Sequence, residues 1–408
     1  MAIKINNDTI IDNSRNIVNA GIVTATSFSG SGAGLTGVGI GTTENINTTG
    51  IITAYSLNAT SNLQSPSGIS SDRPAVPVIG TIRWNTDYNI MEFYDGTDWR
   101  SANLSFIVPS SFRGVFGGGT PGTQNTIDYI TITSQSDATD FGDLTVARSQ
   151  LAACSSSTRG VFGGGSPTTN TLDYITIASA GDATNFGDLI VGRSRLAACS
   201  SSTRGVFGGG SINVIDYIAI ETTGNAADFG DLSVAGGYLA ACSSSTRGVF
   251  GGGYSPSVPF PAYPATNTLD YITIATTGNS TDFSDLTEAR QRLSACSSST
   301  RGVFGGGGGN GLTPSTSTNT IDYIAIASRA NAIDFGDLTI SRYSLAACSS
   351  STRGVFGGGF IPSPSPGVNF NTIDYITIAS ESNATDFGDL TVGRRELAAC
   401  SNGHGGLT

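Results

Sequence analysis

The second part of the chain, from residue 113 onwards, is built from short apolar runs separated by Gly, Ser, Thr, Asn and Asp. In the run TIDYITI, Ile127 and Tyr129 point to one side of a strand, while Ile130 and Ile132 point to the other. Both faces are therefore apolar, as in a sheet that packs between two other sheets. The repeated text lacks the 3.6-residue apolar period of a helix. The pattern predicts an all-β fold with almost no helix.

One heptapeptide divides this region into units. RGVFGGG, first read at Arg113–Gly119, recurs unchanged at further positions, namely Arg159, Arg204, Arg247, Arg301 and Arg353. Between copies the chain repeats the runs NTIDYITI, DATDFGDLTVAR and LAACSSST with small changes. Each unit thus contains four strand-like runs. A period of about 40–50 residues suggests a propeller blade or another solenoid unit.

The two ends of the repeat region predict how it closes. ELAAC, at Glu396–Cys400, is a last copy of the LAAC run with no RGVFGGG after it, so its strand needs a partner. The text before the first RGVFGGG contains Pro109, which would remove a ladder hydrogen bond. We therefore expect the C-terminal strand to pair beside Gly114–Phe116 and to close a six-bladed ring, which also hides an exposed edge.

Each unit carries one cysteine, and the six are Cys154, Cys199, Cys242, Cys296, Cys348 and Cys400. Such a set could form disulfides or hold a metal. However, sheets packed face to face lie about 10 Å apart, whereas a disulfide needs Cα atoms within about 7 Å. A ring of six units is also too wide for one tetrahedral zinc ion. We expect six reduced, buried cysteines that act as small hydrophobic residues, and no metal or other cofactor.

Charged residues recur with the same symmetry. An aspartate precedes the tyrosine of each unit, in a series that comprises Asp128, Asp173, Asp216, Asp270, Asp322 and Asp374. One arginine series precedes GVF, and a second comprises Arg148, Arg193, Arg290, Arg342 and Arg394, with Gly236 in its third position. A catalytic centre breaks symmetry, whereas these sets respect it. We interpret them as structural hydrogen bonds or ion pairs that tie turns and neighbouring units together.

Composition argues against several classes of function. The formal net charge is −11 and Lys4 is the only lysine, which disfavours nucleic-acid binding. No apolar stretch approaches the ~18 residues of a membrane span, and the N-terminus lacks the apolar core of a secretory signal, so we expect folding in a cytosol without membrane insertion. The single histidine, His404, lies in the C-terminal tail, and no asymmetric pair of carboxylates stands out. We expect that the protein is not an enzyme.

The N-terminal region has a different repeat. NIVNAGIVTATSF (Asn16–Phe28) returns as NINTTGIITAYSL (Asn45–Leu57), and a predicted β-hairpin follows at Gly80–Trp99. Such short β-rich runs cannot bury a core alone, so they need partner chains, although a disordered linker is the alternative. The predicted organisation is a β-rich repeat segment at residues 1–65, a second short β-rich segment at 66–102 and the repeat region at 103–408.

These motifs resemble known families. The order GGG, DY, FGDL, AR resembles kelch-type β-propellers from Asn103 to Thr408, with Phe in place of the usual kelch Trp at Phe141, Phe186, Phe229, Phe283, Phe335 and Phe387. The N-terminal repeats resemble the shaft and attachment repeats of tail and neck fibres of phages that infect cyanobacteria, and Gly80–Trp99 resembles a hairpin module of phage fibre proteins. The resemblance implies an attachment and shaft segment at residues 1–65 and a β-hairpin module at 66–102. This resemblance implies a virion protein, assembled in the host cytoplasm, that contacts other virion proteins through its N-terminal segment and forms a homotrimer.

The segments after GGG differ most between units and predict the functional face. They are long in the last three units, at Tyr254–Thr266, Gly308–Thr318 and Phe360–Phe370, and should emerge on one side of the ring. Exposed aromatic residues in such loops favour recognition, here of a host cell-surface receptor with a surface glycan as one candidate. The receptor-binding candidates are Tyr254, Phe260, Tyr263, Phe360 and Phe370. The alternatives are that these loops only cover the ring, and that the protein is a structural neck, baseplate or decoration protein contacting other virion proteins.

Overall fold

The computed structural model describes residues 3–5, 8–11, 66–88, 90–102, 112–256, 263–310, 316–363 and 366–407. The chain divides into two compact units, Met1–Asn103 and Leu104–Thr408. Within the described residues the fold is all-β, as predicted, and its only helices are two short 3-10 turns at Ser70–Asp72 and Gly405–Leu407. Neither of these two turns is long and apolar enough to cross a membrane.

The described residues of the first unit form two small sheets. Strands β1 (Ile3–Ile5) and β2 (Asp8–Ile11) form an antiparallel pair. A four-stranded sheet has the order β3-β4-β5-β6, with bounds Ser67–Gly68, Ile82–Asn85, Ile90–Tyr94 and Trp99–Ala102. Strands β4 and β5 pair in antiparallel fashion, with Ile82 opposite Phe93, and form the hairpin that the sequence predicts. The two shaft repeats, Asn16–Phe28 and Asn45–Leu57, lie outside the described residues.

The second unit contains six four-stranded antiparallel sheets among its described residues. Sheet 1 consists of β7 (Arg113–Gly117), β8 (Thr126–Thr131), β9 (Thr139–Asp143) and the C-terminal β32 (Ala398–Ser401). Sheet 2 consists of β10 (Ala152–Ser155), β11 (Arg159–Gly163), β12 (Thr171–Thr176) and β13 (Thr184–Asp188). Sheet 3 consists of β14 (Leu196–Ser200), β15 (Arg204–Gly209), β16 (Ile212–Ala219) and β17 (Ala227–Gly236).

Sheets 4 to 6 repeat this arrangement. Sheet 4 consists of β18 (Ala240–Ser243), β19 (Arg247–Gly251), β20 (Thr268–Thr273) and β21 (Thr281–Asp285). Sheet 5 consists of β22 (Ser294–Ser297), β23 (Arg301–Gly305), β24 (Thr320–Ala325) and β25 (Ile333–Asp337). Sheet 6 consists of β26 (Ala346–Ser349), β27 (Arg353–Gly357), β30 (Thr372–Thr377) and β31 (Thr385–Asp389), and a small hairpin of β28 (Phe360–Ile361) and β29 (Val368–Asn369) lies within its loop.

The strand that completes sheet 1 comes from the end of the chain. Strand β32 pairs with β7, with Cys400 opposite Val115 and Ser401 opposite Gly114. The predicted pairing beside Gly114–Phe116 is therefore confirmed. We call β10, β14, β18, β22, β26 and β32 the LAAC strands. Each LAAC strand contacts two of the others, and the series returns from β32 to β10.

Close contacts between neighbouring sheets explain why RGVFGGG is unchanged. A Cβ added at Gly160, the residue after the arginine, would lie 2.8 Å from the Sγ of Cys400 in sheet 1. A Cβ added at Gly117, the residue after the phenylalanine, would lie 2.7 Å from the ring of Phe162 in sheet 2. The Phe162 side chain has no exposed surface. The sheets thus approach each other at a distance that only glycine permits.

The ends of the heptapeptide have their own roles. The Nη1 of Arg113 donates a hydrogen bond of 3.0 Å to the carbonyl of Ile177 in sheet 2, and its guanidinium lies 4.3 Å from the centre of the Tyr129 ring. At the other end, Gly118 and Gly119 have φ values of +71° and +119°, in the region that favours glycine. Each arginine therefore joins two sheets, and the last glycines turn the chain out of the strand.

The second arginine series forms buried ion pairs with the aspartates. Each of its guanidiniums reaches across to the aspartate of the next sheet, in the pairs Arg148–Asp173, Arg193–Asp216, Arg290–Asp322, Arg342–Asp374 and Arg394–Asp128, with N to O distances of 2.7 to 3.3 Å. The interpretation of these residues as structural ion pairs is confirmed. The aspartate of sheet 4, Asp270, accepts hydrogen bonds from Ser233 and Ser280 instead.

All six cysteines are buried and free, so their predicted burial is confirmed. Burial raises the pKa of the Cys199, Cys296 and Cys400 thiols to about 12. The low-dielectric surroundings therefore keep these groups in the unreactive thiol form.

The thiols give a first testable result. A thiol reagent should modify none of the six cysteines in the native protein and all six after unfolding, because the thiolate is the reacting form and the Sγ atoms lie between packed sheets. Prior reduction should leave this number unchanged. The measurement is a spectrophotometric thiol titration with and without denaturant. Fewer than six reactive groups in the unreduced, unfolded protein would contradict the assignment of free thiols.

Candidate ligand-binding face

The sequence-predicted site residues are less exposed than expected. Tyr254 is only 3% exposed, so the prediction that it is exposed is wrong. Its ring packs on Gly237, where an added Cβ would lie 2.8 Å from that ring. Its hydroxyl lies 2.6 Å from the Oγ of Ser211 and accepts a hydrogen bond of 3.4 Å from the Nη1 of Arg195. Tyr254 therefore covers the surface of sheet 3.

The other candidates divide into two groups. Tyr263, Phe360 and Phe370 are half-buried rather than exposed, and Phe260 lies outside the described residues. The Tyr263 ring is 4.9 Å from that of Tyr254, centre to centre, and Phe360 is 5.6 Å from Tyr343. The described ring contacts thus bring Tyr254, Tyr263 and Phe360 into aromatic pairs, and do not include Phe370.

These aromatic pairs adjoin a set of residues that sequence reasoning missed. We call this set the variable ring, and it comprises Gln150, Arg195, Tyr238, Arg292, Ser344 and Glu396. Each member immediately precedes the leucine of a LAAC run. Each backbone N–H donates a hydrogen bond of 2.7 to 2.9 Å to the carbonyl of the preceding member, and the N–H of Gln150 donates to Glu396, so that the series is continuous.

The backbone of the variable ring is unusual. All six members have positive φ values, from 56° for Gln150 to 67° for Arg195, although none of them is glycine. Non-glycine residues in this left-handed region are destabilised by about 1–2 kcal/mol each. Glycine would relieve that strain at every member. The side chains are therefore retained against a conformational penalty, which points to a role for them.

A signal for the variable ring is present in the sequence. The LAAC runs are nearly identical, but the residue before the leucine changes from unit to unit, giving QLAAC, RLAAC, YLAAC, RLSAC, SLAAC and ELAAC. Variation at one position within an otherwise constant repeat indicates that this residue has a role other than holding the repeated fold together. Loop length and aromatic content instead predicted binding by the neighbouring loops.

Arg292 connects several members of the variable ring. Its Nη1 lies 2.8 Å from the Oε1 of Glu396 and donates to the Oγ of Ser344 at 3.0 Å. The guanidinium lies 3.6 Å from the centre of the Tyr238 ring, and that of Arg195 lies 5.1 Å from the same centre. Tyr238 is thus held by two cation–π contacts, and burial raises the pKa of its hydroxyl.

The variable ring surrounds a small depression. Its volume is about 70 Å³, and it is lined by the six ring members together with the buried leucines that follow them. The leucines supply apolar lining, while the ring members supply one aromatic ring, guanidinium and amide donors and one carboxylate. Such a surface suits a polar ligand with apolar faces, held by hydrogen bonds and by stacking.

The opposite ends of the LAAC strands form a second, tighter set of contacts. Each ends at a serine whose Oγ donates to the carbonyl of the serine before it, at 2.6 to 2.9 Å. The C-terminal tail places His404 there, with its Nε2 3.0 Å from the carbonyl of Ser155. Burial lowers the pKa of His404. The imidazole is therefore a packed, hydrogen-bonded group at the far end of these strands from the variable ring.

Among the described residues, no group of three or more His, Cys, Asp or Glu side chains is arranged to hold a metal ion. A scan against protein-family models found no match to this chain, and a search of curated proteins found none either.

Proposed function

We propose that the unit Leu104–Thr408 is a six-bladed β-propeller that binds its ligand through the variable ring and the aromatic loops beside it. Two observations support the propeller. The LAAC strands contact one another in a series that returns to its start, and the variable ring is joined by a continuous series of backbone hydrogen bonds. A blade is a four-stranded antiparallel sheet whose first strand lies nearest the axis, and each of the six sheets has four antiparallel strands with a LAAC strand at one edge.

One observation carries the proposal for binding. Six strained residues of five different types occupy the same position of otherwise repeated strands, and they lie beside the loops that differ most between units. Strain at non-glycine residues is concentrated at sites of function. A purely structural ring would tolerate glycine at this position and would not need five different residue types around one depression.

We infer further that the protein is a phage virion fibre whose propeller presents this face to a receptor on the host cell. The N-terminal segments and the order of the repeat motifs support this assignment through their resemblance to fibre and kelch proteins. A surface glycan is the ligand class that best fits the depression, because an aromatic ring and planar hydrogen-bonding groups line it together. Presentation on a homotrimer would strengthen weak binding by each propeller.

The competing candidate is a structural virion protein whose propeller contacts only other virion proteins. Its support is the internal pairing of the variable ring, in which Arg292 is paired with Glu396 and Tyr238 contacts two guanidiniums. Such a network could serve rigidity alone. A direct binding measurement separates the two candidates, since a structural part should not adhere to cells.

Truncating the aromatic residues at the edge of the face should weaken adhesion to host cells. Phe360→Ala and Tyr263→Ala each remove a half-buried ring, and losing one aromatic anchor typically weakens binding by about 2 kcal/mol, roughly thirtyfold. The measurement is equilibrium binding of the full-length protein to a panel of cyanobacterial strains, with melting temperatures recorded in parallel.

The control is Gln124→Ala, in the short loop of sheet 1, which should bind like the unchanged protein. If no strain binds the protein, or if both aromatic variants fold and bind with unchanged affinity, the receptor proposal is wrong and the structural candidate is favoured.

A further inference from the structure

Five boundaries between neighbouring sheets hold a buried guanidinium in nearly the same surroundings. At the boundary between sheets 6 and 1, the Nη2 of Arg394 lies 2.8 Å from the Oδ2 of Asp128 and 3.2 Å from the carbonyl of Phe116, to which it donates. Its Nη1 donates to the carbonyl of Thr126 at 2.8 Å. One carboxylate and two strand carbonyls thus form a guanidinium site inside the protein.

The boundary between sheets 3 and 4 has the same acceptors without the arginine. Gly236 stands at the arginine position, and the corresponding acceptors are Asp270, the carbonyl of Phe250 and that of Thr268. All four residues line a cavity of about 220 Å³, which also reaches the exposed Val234. The space that a guanidinium fills elsewhere is therefore open here.

The carboxylate in this cavity forms no ion pair among the described residues. Asp270 is only 6% exposed, and none of the ion pairs formed by the buried aspartates of the described sheets includes it. It accepts hydrogen bonds of 2.7 to 3.0 Å from Ser233 and Ser280. A carboxylate that is hydrogen-bonded and buried, but has no counter-ion, favours a cation that can enter.

A second change at this boundary accompanies the missing arginine. Ser280 stands where the other units have alanine, at Ala138, Ala183, Ala226, Ala332 and Ala384. Its hydroxyl donates to the Oδ2 of Asp270. At other boundaries the Oδ2 of the equivalent aspartate forms the ion pair with arginine. The Oδ2 of Asp270 thus accepts three hydrogen bonds, from the Ser280 hydroxyl and from the N–H and hydroxyl of Ser233, and Asp270 lines the cavity.

We propose that this cavity is a binding site for a guanidinium group, carried by a small alkylguanidine or by an arginine side chain of a partner protein. The bound group takes the place of the missing arginine, with its planar N–H groups donating to Asp270 and to the carbonyls of Phe250 and Thr268. An ammonium binds less well, because its three donors do not match a fork of acceptors arranged for a planar group.

The test uses the full-length protein and ethylguanidinium, with ethylammonium as the matched cation. Calorimetric or NMR titration should give one saturable site per chain for ethylguanidinium and at least about tenfold weaker binding of ethylammonium. Asp270→Asn should weaken ethylguanidinium binding by about tenfold or more. Gly236→Arg should abolish it and raise the melting temperature, because the chain then supplies its own guanidinium.

The control is Asp228→Asn, which removes an exposed carboxylate of sheet 3 and should leave binding unchanged. A capped Gly-Arg-Gly peptide forms a second arm, and tighter binding of either probe identifies a polypeptide or a small molecule as the source. The proposal would be overturned if the unchanged protein showed no saturable binding, or if the Asp270→Asn and Gly236→Arg variants bound ethylguanidinium as tightly as the unchanged protein.

Discussion

A chain that ends at Arg395 should lose the native fold of the second unit, or should associate through an open sheet edge. This deletion removes β32, whose Ala398–Ser401 backbone pairs with Gly114–Gly117 of β7. It also removes Leu397, which is 6% exposed, and replacing one such buried leucine by alanine already costs about 2–5 kcal/mol. The hydrogen bonds of Glu396 to Gln150 and Ser344 are lost as well.

The summed effect should exceed the stability of an ordinary domain, which is about 5–15 kcal/mol. Thermal unfolding and the mass in solution are the two measurements. The expected result is a strongly lowered or absent transition, or an oligomer formed by pairing at the uncovered β7.

The matched control ends at Ser401 instead. It retains β32 and removes only the tail with His404, so it should keep the fold with a smaller loss of stability. If the chain that ends at Arg395 melts like the full-length protein and keeps its mass, then β32 is not essential for sheet 1.

Much of the fold of the second unit could be predicted because the residues that pack its sheets recur in every repeat. The strands follow from alternating apolar runs, and their grouping into sheets follows from the period. The pairing of β32 with β7 could be predicted because the last LAAC run had no RGVFG partner in its own unit. The burial of the cysteines also followed, since each lies opposite a valine in the adjoining strand, for example Cys154 opposite Val161.

The candidate site was harder to predict because it depends on contacts between units. Tyr254 follows a glycine run and precedes prolines, as an exposed loop residue does, but its ring fills the space above Gly237 in sheet 3. That space exists only when sheets 3 and 4 are neighbours. The variable ring was missed for another reason, since the strain at its members is a property of backbone geometry that residue types do not reveal.

Gly236 illustrates the same limit. The break in the arginine series was visible in the sequence, but its consequence was not, because the series was not known to reach the aspartate of the next sheet. The Arg193–Asp216 pair shows that reach, since it joins the end of sheet 2 to sheet 3. Only then does the missing arginine imply an open cavity beside Asp270.

Neutralising a paired aspartate should destabilise the protein far more than neutralising Asp270. In Asp374→Asn, Arg342 keeps its hydrogen bonds to the carbonyls of Thr372 and Phe356 but loses the carboxylate 2.9 Å away. Both side chains have no exposed surface, so the variant leaves a buried cation without its counter-ion. Burial already lowers the pKa of Arg342, and the charge of Asp374 opposes that effect. The expected loss is about 3–5 kcal/mol.

Asp270→Asn is the matched comparison, because it makes the same chemical change at the equivalent position of sheet 4. No buried arginine faces Asp270 among the described ion pairs, so the variant leaves no uncompensated cation, and Ser233 and Ser280 can still donate to the amide oxygen. The free energy of unfolding should change by about 1 kcal/mol or less. Chemical denaturation of both variants measures the difference, provided that the slope of unfolding free energy against denaturant concentration is the same for both. Equal losses would mean that the carboxylate's hydrogen bonds, rather than its pairing with a buried guanidinium, hold neighbouring sheets together.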